Sequence, residues 1–255
     1  MKQYFLTVAM GKRLIGKAMA EHPAVKTALK NGTVVIVAGT TNGYVAEEIL
    51  LSIGQAANFS RKRFIRGITL PPGYKITAAG RLADESKFPG DVVITGGIPQ
   101  TGKTIDEVAS GLKEGDVIIK GANALDVLRK RAAIIIGNPQ GGTIAVALSA
   151  VIGRRVELIL PVGLEKRISG DIDQITNQVN SPGASGYRLL PVPGEVVTEI
   201  EALKLLTGVK AEMLAAGGVS GAEGGVWLNL EGSPEQMLKS EKLLQSISSE
   251  PPFVI

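Results

Sequence analysis

The sequence contains no cysteine and a single histidine, His22. Without cysteine there can be no disulfide, iron–sulfur cluster, thiolate zinc site or cysteine nucleophile. One histidine excludes multi-histidine metal centres and leaves a Ser-His-Asp triad resting on a residue that sits just before Pro23. No metal site is expected. Aromatic residues make up only 4% of the chain. That is too few for the stacking platforms that bind single strands, so nucleic acid is not an expected partner. No apolar run approaches about 18 residues, so no membrane span is expected. The apolar run within MKQYFLTVAMGKRLIGK is short and broken early for a signal peptide. These absences predict a cytoplasmic, soluble protein whose chemistry is limited to carboxylates, lysines and hydroxyls.

Glycine is the abundant residue, 32 of 255, against an average of about 7%. The glycines follow no Gly-X-Y period and fall between apolar runs, which marks many tight turns. Apolar residues reach 44% and charged residues 20%, enough for a sizeable core in one large domain or two smaller ones. The net charge is +4. Bases bunch at Arg61, Lys62, Arg63 and Arg66, at Arg129–Arg131, and at Arg154–Arg155. Such bunches either solvate a surface or attract a phosphate-bearing ligand.

Strand-like and helix-like stretches alternate. Residues 3–9 read as a strand, and Lys12–Lys30 as a helix interrupted at His22-Pro23. Thr33–Ala38 is a β-branched run typical of a strand buried on both faces, and Asn42–Ile53 carries apolar residues at helical spacing. Residues 59–87 read as an irregular insertion with a hairpin. Then come strand 91–95, helix 104–112, strand 116–120, a short helix from Ala124, strand 132–136, helix 142–151 and strand 156–160. The alternation predicts an α/β fold with a mostly parallel sheet and helices on both faces. The linker Asn180–Gly186 is turn-rich and predicts two domains, 1–185 and 186–255. Strand 188–191, helix 195–207, strands 210–216 and 226–231, helix 233–248 and a strand near Phe253 follow the ferredoxin-like order β-α-β-β-α-β.

Gly39-Thr40-Thr41-Asn42-Gly43 lies between a buried strand and a helix. That position is at the carboxyl edge of the sheet, where open α/β folds bind ligands. Gly39 permits close approach, while Thr40, Thr41 and Asn42 bring polar groups to a helix N-terminus with a positive dipole end. An anion suits this loop; simple helix capping by Thr41 or Asn42 is the plainer alternative. Gly141, Gly142 and Thr143 open a second helix in the same manner. Lys120, Gly121, Asn123 and Asp126 follow a buried strand and are candidates for the same crevice.

Lys12–Leu50 together with its Ala38–Asn42 loop resembles the opening of the superfamily of ribose-5-phosphate isomerase A, glucosamine-6-phosphate deaminase and the CoA transferases. Gly115–Asp126 (GDVIIKGANALD) resembles the isomerase segment around GADEVD and the GADGVD of sugar-sensing repressor domains. Asn138–Ala147 (NPQGGTIAVA) is similar to their glycine-rich helix start. The resemblance covers residues 12–165 loosely and implies an isomerase/CoA-transferase-like fold with a small ferredoxin-like domain. It implies a small anionic metabolite, a sugar phosphate or CoA-linked acid, held by Gly39–Asn42 and Gly141–Thr143, with Asn123 and Asp126 at the positions of the family's two acids; Lys120, from its place after the buried strand, joins them as a catalytic candidate. A homo-oligomer is also expected; no cofactor can be named. The chain departs from the pattern in three ways. Asn123 stands where the isomerases have their first acid, the second loop glycine is missing, and the Arg-Glu-Lys segment has no counterpart. Isomerase activity itself is therefore not expected. Glu165 and Glu223 match the glutamate nucleophile of CoA transferases by residue type alone, and a non-catalytic metabolite sensor on the same fold is the alternative.

A rival reading comes from Gly97–Thr104 (GIPQTGKT), which matches the nucleotide-binding pattern G-x-x-x-x-G-K-[ST] after a strand and before a helix. Against it, the helix is short and no later strand ends in an aspartate to hold magnesium.

Overall fold

The computed structural model describes residues 1–255 except 68, 76, 78, 79, 83, 85–87 and 255. The hairpin expected within 59–87 lies partly outside the described residues.

The chain opens with β1 (Lys2–Leu6), α1 (Val8–Glu21), α2 (Pro23–Asn31), β2 (Thr33–Ile36) and α3 (Thr40–Ser52). Thr7 starts α1 by accepting the Met10 N–H, and Pro23 at the first turn of α2 makes the break at His22. After the insertion come β3 (Val92–Thr95), β4 (Ile98–Pro99), α4 (Ile105–Val108), β5 (Val117–Ile119), β6 (Ala124–Asp126), β7 (Arg131–Ile136), α5 (Gly142–Arg154), β8 (Glu157–Pro161) and α6 (Ile172–Val179). The remainder is β9 (Arg188–Val192), β10 (Glu195–Val197), α7 (Glu199–Thr207), β11 (Lys210–Gly217), β12 (Gly225–Glu231) and α8 (Pro234–Ser246).

The central sheet has the order β10-β8-β5-β2-β3-β4. Strands β10, β8, β5 and β2 run parallel, β3 runs antiparallel to β2, and β4 antiparallel to β3. The sheet is therefore mixed. Successive residues Val34, Val35 and Ile36, and Val117, Ile118 and Ile119, are all buried. Neighbours along a strand face opposite sides, so both faces of the sheet are covered. Helix α2 packs on β2, β3 and β5, α3 on β2, and α1 against α3 and α7.

Three expectations are corrected. Ala124–Asp126 is a strand rather than a helix start, because Asn123 and β6 pair with β7 across a turn closed by the Arg129 N–H on the Asp126 carboxylate. Strand β7 belongs to a separate antiparallel sheet, β6-β7-β9. The ferredoxin-like sheet is not formed. Its first expected strand, β9, pairs with β7, residues 195–197 extend the central sheet as β10, and no strand forms at 250–254. The C-terminal sheet is instead β1-β12-β11, with the N-terminal strand antiparallel to β12. Ladders thus join the segments on either side of residue 186.

Gly96 and Gly97 turn β3 back into β4, and residues 100–104 lead from β4 into a four-residue helix. Thr104 caps that helix with Glu107, and Lys103 Nζ lies 3.4 Å from the Glu107 carboxylate. Because β3 runs against β2, the Gly96-Gly97 turn sits at the opposite sheet edge from Gly39, and the chain then returns so that the Lys103 carbonyl accepts the Asp91 N–H at 2.9 Å. The segment does not form a phosphate-binding strand–loop–helix turn.

Candidate functional site

The parallel strands end on one edge of the sheet, and β3 starts there. A cavity of about 1020 Å³ opens at this edge, at the top of the size range for small-molecule sites. Its wall includes Gly39, Thr40, Thr41 and Asn42 from the start of α3, and Gly141, Gly142 and Thr143 from the start of α5. Lys120, Gly121 and Asn123 after β5 line it as well. Ten of the eleven expected site residues therefore meet in one place. Asp126 does not line the cavity; its carboxylate accepts the Arg129 N–H at 3.0 Å and faces the Arg129 guanidinium at 2.9 Å, which holds its pKa below the ordinary carboxylate value.

The two helix starts differ from those of most other helices; α2 also lacks a side-chain cap, but it begins with Pro23, which has no N–H to offer. Helices α1, α6, α7 and α8 are capped by the side chains of Thr7, Asp171, Thr198 and Ser233. Helices α3 and α5 begin at Gly39 and Gly141, with no side-chain cap and no acid in the first turn. Their first N–H groups and positive dipole ends are left to whatever occupies the cavity. Gly141 and Gly142 have φ of 82° and 62°, a left-handed turn that favours glycine.

Charge reinforces this. Among the described residues the cavity is lined by Lys12, Arg66, Arg81, Lys120 and Lys166, against one carboxylate, Asp106. Arg66 is held 3.5 Å from Asp91, whose side chain is fully buried and accepts the Ala38 and Ile105 N–H groups at 2.9 and 2.8 Å. Thr41 Oγ1, Asn42 Oδ1, and Arg66 Nε and Nη2 are buried without a hydrogen-bond partner. The Asn42 amide donates to the Val37 and Ile119 carbonyls at 2.7 and 3.1 Å, tying the ends of β2 and β5 together. Asn123 Oδ1 accepts the Ile135 N–H at 3.1 Å, which orients the loop after β5. Leu70, Tyr74, Tyr187 and Phe253 also line the cavity. Glu250, ion-paired with Arg13 and Arg61, anchors the segment that carries Phe253.

Lys12 and Lys166 of the wall belong to a largely buried charge cluster. Lys12 Nζ meets Glu165 Oε1 at 3.2 Å, and Lys166 Nζ donates to the Ala122 carbonyl at 2.8 Å. Glu199 begins α7, is 2% exposed and accepts the Leu164 N–H at 2.9 Å. Burial and the nearby Glu165 charge raise its pKa to about 7. Burial lowers that of Lys166. Glu223, by contrast, lies on the exposed β11–β12 hairpin, bonded to the Gly221 N–H. His22 is buried beside Glu195, at 3.3 Å, and is not part of the cavity wall.

The Glu199 environment has a measurable consequence. Its protonated form is favoured in the fold, so the stability it contributes is complete below the unfolded value near 4.5 and is lost as pH rises through about 7. A shift of this size corresponds to on the order of 3 kcal/mol between the extremes. Glu199→Gln keeps an acceptor for Leu164 and has no charge to desolvate. We expect the wild-type melting temperature to fall by several degrees relative to Glu199→Gln between pH 5 and pH 8. Parallel pH profiles for the two proteins would contradict this.

Sequence reasoning missed Lys12, Arg81 and Lys166, which come from separate segments with no shared motif. Arg66 stood in a basic bunch that had two readings. Comparison of the chain with protein-family models, with curated proteins and with solved structures finds no match. No helix among the described residues is long and apolar enough to cross a membrane.

Proposed function

We propose that this chain binds a small anionic metabolite, phosphorylated or CoA-linked, at the carboxyl edge of its central sheet. One observation carries the reading: two uncapped helix N-termini and five cationic side chains converge on a single cavity. Backbone N–H groups and helix dipoles favour a phosphate or carboxylate there, and the cations add attraction from a distance. Thr41 and Arg66, with unpartnered polar atoms in the wall, are the first side chains expected to touch it. The apolar and aromatic lining residues suit the uncharged part of a metabolite larger than the anion alone. The wall offers no carboxylate after β5 to act as base in an enediol step, since Asp126 is held by Arg129. That favours either a sensor or chemistry carried by another group.

A thermal-shift panel of inorganic phosphate, sugar phosphates, acyl-CoAs and neutral sugars tests this. Phosphate-bearing compounds should raise the melting temperature by several degrees, neutral sugars should not, and high salt should weaken the effect. The proposal fails if no phosphate or carboxylate ligand stabilises the protein at millimolar concentration.

A further inference from the structure

Of the lysines in the cavity wall, Lys12 is paired with Glu165 and Lys166 is bonded to the Ala122 carbonyl. Lys120 differs. Among the described residues its Nζ has neither a hydrogen bond nor an ion pair. Its backbone is fixed: the Lys120 N–H donates to the Ile159 carbonyl at 3.0 Å, and the carbonyl of the preceding Ile119 accepts from Val37 and Asn42. The amine is thus carried at the end of a central strand, next to an anion-binding edge, without the carboxylate that a structural lysine would normally find.

We propose that Lys120 is an imine-forming residue whose Nζ condenses with the carbonyl carbon of an anionic aldehyde or ketone held in the cavity. This rests on the anion-site reading above and names the ligand class: a small phosphate- or carboxylate-bearing carbonyl compound.

The surroundings suit a neutral amine. Desolvation, then the positive charges of Arg66 and Lys166, lower the ammonium pKa to about 8, opposed by the negative charge of Asp91. Asp91 is itself engaged by Ala38, Ile105 and Arg66 and does not reach Nζ within ion-pair distance. A desolvated lysine beside other cations is the usual way to obtain a nucleophilic amine near neutrality. In the step itself, the Nζ lone pair forms the N–C bond as the carbonyl π bond breaks, and a proton passes from nitrogen to oxygen to give a carbinolamine. The hydroxyl then takes up a proton and leaves as water while the nitrogen lone pair forms the C=N⁺ bond. The sum is ammonium plus carbonyl giving iminium plus water, with nothing oxidised or reduced. The iminium withdraws electrons from the adjacent carbon and so supports bond making or breaking there. This chemistry does not depend on the absent isomerase carboxylate.

Reductive trapping tests the proposal on the whole chain. The protein is incubated with substoichiometric pyridoxal 5′-phosphate, an aldehyde that carries a phosphate, then reduced with borohydride and mapped by peptide mass spectrometry. The expected result is one dominant adduct on Lys120, with half-maximal trapping near pH 8. Inorganic phosphate should protect, and pyridoxal lacking the phosphate should react at least about tenfold more slowly. Lys120→Met and Lys120→Arg should both fold and lose the adduct by at least about twentyfold; the arginine variant keeps the charge and cannot form an imine. If phosphate stabilises and protects the protein but the label falls on other lysines, or persists in Lys120→Arg, the imine proposal is overturned and the anion site stands. If Lys120 reacts equally with both aldehydes and phosphate neither stabilises nor protects, the anion-site reading is overturned, and with it the proposed ligand class.

Discussion

Replacing Gly39 with leucine should abolish ligand binding while leaving the fold intact. Gly39 has φ of 168° and ψ of 160°, an extended conformation open to any residue. A Cβ built there meets no atom within 4 Å. Nothing in the backbone or the packing therefore requires glycine. What a side chain would do is occupy the space in front of the first turn of α3, where the N–H groups face the cavity. We expect Gly39→Leu to melt within about 2 °C of wild type and to bind phosphate ligands at least about 100-fold more weakly, equivalent to about 2.7 kcal/mol. Gly121, also in the wall with open space around it, provides a second such position. Gly141→Leu is the contrasting variant. Its φ of 82° and the 2.8 Å approach of Ala145 Cβ make leucine strained, so it should lose stability as well as binding, by about 1–3 kcal/mol. Calorimetric titration and thermal melts of the two variants separate blocking from unfolding. Wild-type affinity in Gly39→Leu would show that the anion does not sit at α3.

Much of the cavity was legible because its logic is local and repeated. A β-branched run, a glycine and a polar helix start predict a strand–turn–helix unit, and parallel strands bring all such turns to one edge. That logic holds for Gly39–Asn42 after β2; Lys120–Asn123 follows a parallel strand but leads into β6, and Gly141–Thr143 reaches the same cavity from β7 of the separate antiparallel sheet. What was not legible depends on pairing between distant segments. Ala124-Leu125-Asp126 is too short to show a period, and only its ladder with β7 makes it a strand. Residues 188–197 look like the start of a separate domain, yet they extend two sheets built from earlier residues. The GIPQTGKT pattern misleads for a reason present in the sequence: Gly96 and Gly97 have φ of 54° and 77°, a tight Gly-Gly turn of the kind that makes hairpins. The chain reverses into β4 before a phosphate loop can form. The cations were hardest to foresee, since Lys12 lies on α1, Arg81 in the insertion and Lys166 after β8. Charge convergence of this kind has no spacing in sequence.

Asp91 looked like nothing more than the first residue of a strand, yet its removal should cause the largest loss of stability of any single change at this edge. Its side chain is fully buried. One oxygen accepts the Ala38 N–H in the loop after β2, the other the Ile105 N–H at the start of α4. The same carboxylate faces Arg66, whose side chain is 11% exposed. Asp91→Ala would leave two buried N–H donors unpaired and a buried guanidinium without its nearest anion. Breaking a buried pair in this way costs about 3–5 kcal/mol, and each orphaned donor adds to the penalty. Typical domains have only about 5–15 kcal/mol in total. We therefore expect Asp91→Ala to lose about 4 kcal/mol in urea unfolding, with Asp91→Asn between it and wild type because one acceptor oxygen remains. A loss below about 1 kcal/mol in the alanine variant would refute the anchoring role. The asparagine variant also separates charge from shape at the neighbouring amine. The Asp91 charge raises the Lys120 pKa, so neutralising it lets Arg66, Lys166 and burial act unopposed. The midpoint for trapping at Lys120 should then move below pH 8, whereas an upward shift or none would mean that Asp91 does not act on this amine.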